Sequence, residues 1–308
     1  MKRLPLCSAL LLLLAPALPA QTKTIAERLG YPRDAKLLIL HADDLGVAHS
    51  VDSASLAALT SGAISSASIM MPTPWVSEVA AYARAHPDAD LGLHLTLTAE
   101  WDTYRWGSVE SRERVATLLD STGIFPSDVP PVAARAKPAE VERELRAQID
   151  RAIAMGIRPT HVDSHMGALF ASPELMTTYM KVARDYRLPF LAARKPPAWI
   201  APMPLTEKDA VPDTVVIAWP EIPRDQWKAF YLNTIANLKP GLTEIIVHLG
   251  FDDSELRAVM VNHEPYGSAW RQRDYDVVTS PEFRKALRDN KVILIGWKDL
   301  ARLSSASR

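Results

Sequence analysis

Four short stretches place histidine and aspartate at or beside runs of apolar residues. They are His41-Ala42-Asp43-Asp44 after Leu37-Leu38-Ile39-Leu40, His94 within the alternating residues 91–98, His161-Val162-Asp163-Ser164-His165, and His248 after Ile245-Ile246-Val247. Five of the eight histidines fall in these places. One carboxylate with two imidazoles makes a three-ligand set for a divalent metal and leaves positions open for water and substrate. Such a metal polarises a carbonyl and lowers the pKa of a bound water. A second carboxylate beside it can accept the water's proton. Adjacent Asp43 and Asp44 can divide those roles, because successive side chains on an extended segment point to opposite sides.

Each stretch alone is ambiguous. An Asp-Asp pair can serve as a helix cap and a solvated turn, a lone histidine is often a satisfied core residue, and H-x-D-x-H clusters also stabilise loops. Several polar groups at the ends of separate apolar runs, with no shared partner, would be costly to bury. The constellation therefore reads as one site.

The elements around these residues alternate between strand-like and helix-like patterns. Strands are expected at residues 37–40, 63–71, 91–98, 160–162, 190–192, 214–218, 244–247 and 291–295. In the third, the alternation puts His94 on the polar face of a half-buried strand. Helices are expected at about 51–59 and, most clearly, at 138–155, where Pro138 suits the first turn, Glu140, Glu142 and Glu144 lie toward the amino end, and Val141, Leu145, Ile149 and Ile153 form a stripe. Residues 101–114 and 195–212 read as long loops. Seven or eight β/α units with apolar strands imply a mainly parallel sheet covered by helices. The expected fold is a single-domain α/β, (β/α)-barrel-like unit, complete or incomplete, with a doubly wound open sheet as the alternative. In parallel α/β folds ligands sit at the carboxyl ends of the strands, which is where the His and Asp residues fall.

Composition bounds the rest. The chain has 308 residues, 48% hydrophobic and 23% charged, with a formal net charge of -1 and no basic run, so no nucleic-acid partner is expected. Lys2 and Arg3 precede a mostly apolar run at 4–18 that ends in small residues, which reads as a secretory signal cleaved after Ala20. Pro16 and Pro19 interrupt that run, and it falls short of the ~20 apolar residues of a membrane span. The expected division is a signal at 1–20, a lead-in at 21–35, the domain at 36–303 and a tail at 304–308. The protein is expected to be secreted or periplasmic, with no membrane partner once the signal is removed. Cys7, the only cysteine, would leave with the signal, which excludes disulfides, a cysteine nucleophile and a Cys-based metal site.

The segment 37–46 with its His-Ala-Asp-Asp-Leu-Gly, then Gly92-Leu93-His94, then Pro159-Thr160-His161-Val162-Asp163-Ser164-His165, resembles the YdjC-like carbohydrate deacetylases, which include chitooligosaccharide deacetylases. The resemblance runs from about Lys36 to Leu300. It implies a barrel-like α/β fold and metal-dependent hydrolysis of an acetyl amide on an amino sugar. Asp44, His94 and His165 would hold the metal and Asp43 would be the base. His248 matches a late-strand histidine that acts as general acid or oxyanion stabiliser, and Arg271 matches a family arginine. Three positions depart from the pattern: His41 stands where asparagine is usual, Met166-Gly167 where more histidines often follow, and Leu249-Gly250 where proline is usual.

His161, Asp163, Trp101, Trp106 and Arg271 are the candidate substrate contacts, the tryptophans because aromatic faces stack on sugar rings. In the later loop Trp199 offers such a face, and Arg194 is either a substrate-facing arginine or a surface ion pair. One divalent metal is expected: two imidazoles and a carboxylate suit Zn2+, while the resemblance keeps Mg2+. The expected partner is a carbohydrate, with a homo-oligomer left open. The competing readings are a glycosidase using two carboxylates such as Asp43 and Asp163, and an exported sugar-binding protein with a vestigial site.

Overall fold

The first apolar run grows into a ten-residue strand, β1 (Lys36–Leu45), which takes in the His41-Ala42-Asp43-Asp44 segment as well. Side chains alternate along it. Leu38, Leu40 and Ala42 enter the larger core, while Leu37 and Ile39 enter a smaller one on the other face. His41 and Asp43 continue the second row toward the strand's carboxyl end. The computed structural model describes residues 23–192, 194, 205–206 and 209–305. The expected signal at 1–20, the end of the expected tail, and Trp199 with most of its loop lie outside the described residues.

The remaining strands are β2 (Ser66–Ile69), β3 (Leu91–Leu95), β4 (Val162–Ser164), β5 (Thr214–Ile217), β6 (Gly241–Val247) and β7 (Val292–Leu294). Every pairing is parallel. The order is β4-β3-β2-β1-β6-β5, and β7 pairs with the first residues of β1. The helices are α1 (Ile25–Arg28), α2 (His49–Thr60), α3 (Val76–Ala85), α4 (Val129–Arg135), α5 (Pro138–Ala154), α6 (Pro173–Tyr186), α7 (Trp227–Asn237), α8 (Ser254–Val259), α9 (Ser268–Val278), α10 (Pro281–Asp289) and α11 (Trp297–Ser305). The result is one α/β domain on a parallel sheet that curls as an incomplete barrel: β4 and β5 end the path, and no pairing among the described residues joins them. None of the described helices is long and apolar enough to cross a membrane.

Several element boundaries differ from the sequence expectation for identifiable reasons. All five residues of β3 are buried, because a parallel sheet here is covered on both faces; the expected half-buried strand is corrected accordingly. β3 also stops at Leu95, because the side-chain amide of Gln148 on α5 replaces a strand neighbour. It accepts from Thr96 N and donates to Thr96 O. The expected strand at 190–192 reduces to a single bridge between Phe190 and Val162. On α5, Val141, Leu145 and Ile149 are fully buried, but Ile153 is 52% exposed, beyond the reach of the sheet. Glu144 is buried too, and its carboxylate accepts from the backbone N–H groups of Val109 and Glu110, which ties down the long 101–114 loop. α1 precedes residue 36 and packs Ile25 and Ala26 into the smaller core with Trp297 and Leu300 of α11.

The row that begins with Leu37 and Ile39 becomes polar above this apolar plug. His41 Nδ1 bonds Ser66 Oγ (3.2 Å), and its Nε2 lies 3.0 Å from both Ser68 Oγ and Asp163 Oδ2. His161 stacks on Trp297 with ring centres 4.9 Å apart. Gly92 on β3 leaves the space that the His161 ring fills, and a Cβ there would run into the ring atoms. Gly92→Ala should therefore cost about 1–3 kcal/mol by overpacking, read as a lowered denaturation midpoint; an unchanged midpoint would show that this interior layer is loosely packed.

Candidate active site and metal centre

The end of β1 does not follow the alternation expected for it. Asp44 has φ 66°, in the left-handed region, and the register between β1 and β2 shifts between Ala42 and Leu45. A bulge of this kind re-aims one side chain. Instead of pointing to opposite sides, both carboxylates face the same imidazole: His94 Nε2 lies 3.7 Å from Asp43 Oδ2 and 3.4 Å from Asp44 Oδ1. A non-glycine residue held this way costs about 1–3 kcal/mol and persists only where its surroundings enforce it. Gly46 supplies part of that enforcement, since its N–H donates to Asp52 Oδ1 at 2.6 Å.

Asp44, His94 and His165 each present one ligand-type atom, all within 4.8 Å of one another. His165 Nδ1 is 3.3 Å from the same Asp44 Oδ1 that His94 Nε2 approaches. The other nitrogen of each ring is taken: His94 Nδ1 donates to Asp163 Oδ1 (2.6 Å) and His165 Nε2 donates to Glu100 Oε2 (2.9 Å). A carboxylate on the far nitrogen fixes ring orientation and strengthens the near lone pair, as second-shell partners do for metal-bound histidines. Arg271 Nη2 donates to Asp44 Oδ2 at 2.7 Å. Burial works against the Asp44 charge, but Arg271 first and the two imidazoles after it hold the carboxyl well below the usual carboxylate range. Burial likewise opposes ionisation of Asp163 and is outweighed by His94 and His41, so Asp163 is also held low. His165, despite its burial, is pushed up to about 10 by Glu100 and Asp44.

The residues fit a divalent cation. Asp44 Oδ1 is buried and has no hydrogen-bond partner. A buried carboxylate oxygen without a hydrogen bond is costly, and the two imidazole nitrogens that lie 3.4 and 3.3 Å from it belong to groups that bind metals on giving up a proton. Two further clusters have the right donor types: His41, His161 and Asp163, and Asp43, Asp44 and His248. The first is a closed interior layer whose Asp163 already bridges His94 and His41. The second shares Asp44, but no hydrogen bond to a carboxylate among the described residues orients the His248 ring as Asp163 and Glu100 orient His94 and His165. The Asp44, His94 and His165 group is thus the best prepared.

Asp43 sits beside this group. Its Oδ1 makes no hydrogen bond and lies 3.4 Å from His248 Nε2. β6 delivers His248, whose backbone N–H donates to Asp274 Oδ2 (3.0 Å). Asp274 also accepts from Trp227 Nε1 and the Tyr231 hydroxyl. α9 therefore serves both halves of the site, with Arg271 on Asp44 and, one turn later, Asp274 on the His248 backbone. Tyr266 packs its ring 4.8 Å from His248, and its carbonyl accepts from Arg271 Nε.

The expected substrate contacts are redistributed. Trp101 and Trp106 are 2% and 5% exposed and offer no free face; Trp106 Nε1 donates to Thr98 O, and the two rings meet edge to face at 5.4 Å. They wall the site, Trp106 against His165 and Trp101 against the Arg271 guanidinium. His161 is fully buried in the layer beneath the site, and both Asp163 oxygens are engaged by histidines, so neither presents a group to a ligand. Arg271 reaches the site from within the protein, bound to Asp44. Arg194 donates to the Asp209 carbonyl at 2.8 Å. Sequence reasoning missed Glu100 and Asp274; the only signals were that Glu100 follows the His94 strand closely and that Asp274 falls one helical turn after Arg271.

If Asp163 and Glu100 orient the two imidazoles, Asp163→Asn and Glu100→Gln should each weaken divalent-metal affinity roughly 10- to 100-fold. Competition with a metal-sensitive chelator on folded protein reads this, and unchanged affinity in both variants would contradict the assignment.

Comparisons with known proteins bear on the family and the fold. The YdjC-like protein family profile matches residues 37–289. The chain is 32% identical over 274 residues to a protein named carbohydrate deacetylase from Thermus thermophilus, covering 86% of this chain and 94% of that one. It is 27% identical to another of that name from Thermoanaerobacter pseudethanolicus, covering 86% and 99%. Among solved structures, a protein from Enterococcus faecalis described as a cellobiose-phosphate cleavage protein shares the fold, with a TM-score of 0.71, 24% identity, and coverage of 86% of this chain and 99% of that one. The match across most of the chain, with the paired aspartates and three histidines at one end of the sheet, places the protein in the YdjC-like family.

Proposed function

We propose that the protein is a metal-dependent carbohydrate deacetylase that hydrolyses an acetyl group, N-acetyl foremost, from a sugar. The observation that carries this reading is the unpaired, buried Asp44 Oδ1 facing two oriented imidazoles, with a second carboxylate, Asp43, alongside. Relatives named carbohydrate deacetylase support the substrate class. Asp44, His94 and His165 would hold one divalent ion. The two-nitrogen, one-oxygen donor set favours zinc over magnesium. When bound, the ion supplies Lewis acidity toward the acetyl carbonyl and toward water.

The chain's own groups do the proton work. Asp43 takes the proton of the attacking water as oxygen adds to the carbonyl carbon. His248, 3.4 Å from Asp43 on its other side, is placed to deliver a proton to the departing amine nitrogen as the C–N bond breaks. Asp274, through the His248 backbone, and Tyr266, against its ring, keep that imidazole in place. Trp101 and Trp106 keep bulk water from the Arg271–Asp44 pair and from His165. If residues 1–20 act as the signal that their sequence suggests, the substrate would lie outside the cytoplasm.

A glycosidase needs two carboxylates facing the sugar, and Asp163 does not qualify, since both of its oxygens are held by histidines. The direct test is acetate release from a panel of N- and O-acetylated oligosaccharides, after chelation and again after adding back zinc or magnesium. Activity should vanish with chelation and return with metal. Asp43→Asn should keep the metal but lose roughly 10²- to 10⁴-fold in kcat. Shortened sugars without acetate, insensitive to chelator, would overturn the reading in favour of a glycosidase.

A further inference from the structure

One exposed aromatic that could meet a sugar lies outside the 101–106 loop. Trp219, two residues past the end of β5, is 50% exposed. It lines a groove of about 450 Å³ together with Ile222, Pro223, Gln226, Phe230 and Asn233, a volume in the range of small-ligand sites. Gln226, Phe230 and Asn233 recur at i, i+4 and i+7, so they share one face of α7 and the turn before it. One wall is thus an indole and aliphatic carbons beside the Glu221 carboxyl, and the other sets an aromatic ring between two side-chain amides. Amides can both donate to and accept from hydroxyl groups.

This groove lies on the active-site end of the sheet. β5 is the neighbour of β6, whose carboxyl end carries His248. The Tyr266 hydroxyl donates to the carbonyl of Ala218, the residue before Trp219, at 3.3 Å, while the Tyr266 ring rests 4.8 Å from the His248 ring. One tyrosine therefore spans from the catalytic histidine to the base of the Trp219 loop. Tyr266 holds φ 59°, a left-handed conformation that a bulky residue adopts only under constraint.

We propose that the groove is a distal sugar subsite: Trp219 stacks against the apolar face of a pyranose ring one or more units removed from the acetylated sugar, and Gln226 and Asn233 hydrogen-bond its hydroxyls. This rests on the deacetylase reading and extends it to an oligosaccharide preference. Single exposed apolar residues are ordinary on protein surfaces. What distinguishes this one is a half-exposed indole paired with amides and linked through Tyr266 to His248. A lone aromatic face accommodates many sugars, so the subsite selects chain length more than sugar identity.

The test compares N-acetylglucosamine, its disaccharide and its tetrasaccharide as substrates for metal-loaded wild type, Trp219→Ala and Trp219→Phe. In wild type kcat/KM should rise with length. Trp219→Ala should lower the tetrasaccharide-to-monosaccharide ratio roughly tenfold, the equivalent of about 1.4 kcal/mol, through KM, and Trp219→Phe should recover part of it. Titration of tetrasaccharide into the Asp43→Asn protein, with and without Trp219→Ala, reads the groove even if wild type releases no acetate, which would count against the deacetylase alone. A ratio and a binding constant unchanged by Trp219→Ala would overturn the subsite. So would a change confined to the sedimentation coefficient, which would make the groove an interface between copies of the chain.

Discussion

Everything near the mouth of the sheet answers to one constraint, a carboxylate at 2% exposure that must be compensated. Asp44 has only one of its oxygens satisfied by a charged donor, through Arg271 at 2.7 Å. The other faces His94 and His165 without a hydrogen bond. Both imidazoles are in turn fixed by carboxylates, Asp163 and Glu100. With both rings neutral, as metal ligation requires, the carboxylates of Asp43, Asp44, Asp163 and Glu100 outnumber the cations Arg271 and His41, and a divalent cation is the species that such a shell attracts. The strain at Asp44 has the same origin, because the left-handed turn brings Asp43 and Asp44 to the same imidazole.

The curled parallel sheet makes this arrangement available. Its inner face changes character along the strands, from the apolar plug of Leu37, Ile39, Leu242 and Trp297, through the layer of His41, Ser66 and His161, to Asp43 and His94 at the open end. The middle layer gives His41 its role. A buried imidazole opposes its own charge, yet the Asp163 hydrogen bond and charge push its pKa up to about 9. His41 therefore stands as a cationic partner on the oxygen of Asp163 that His94 does not use. Glu244, pushed by burial to about 7 and bonded to Trp297 Nε1, closes the same layer from β6.

Much of this is legible in the sequence. The apolar runs, the helix at 138–155 and the strand-end positions of Asp43, Asp44, His94, His165 and His248 follow from period and residue type. What was not legible depends on contacts across the chain. Alternation in residues 91–98 suggests a half-buried strand, but coverage of both faces is a tertiary fact. The positive φ of Asp44 has no signature in its own side chain; only the neighbouring Gly46 hints at a tight turn. Trp101 and Trp106 have the composition of a sugar platform, and their burial is set by residues far away in sequence, Arg271 among them. Glu144 looked like a helix-terminal charge and is an interior anchor for a loop. Trp219 lies in no motif, so nothing local marks its exposure.

The account stands or falls on a cation shared by Asp44, His94 and His165. Anomalous diffraction from crystals of the zinc-loaded protein tests this without reference to activity. It should show one strong peak within about 2.0–2.2 Å of Asp44 Oδ1, His94 Nε2 and His165 Nδ1, with Asp43 outside the coordination shell. A peak at the His41, His161 and Asp163 cluster, or none at the Asp44 group under saturating zinc, would contradict it.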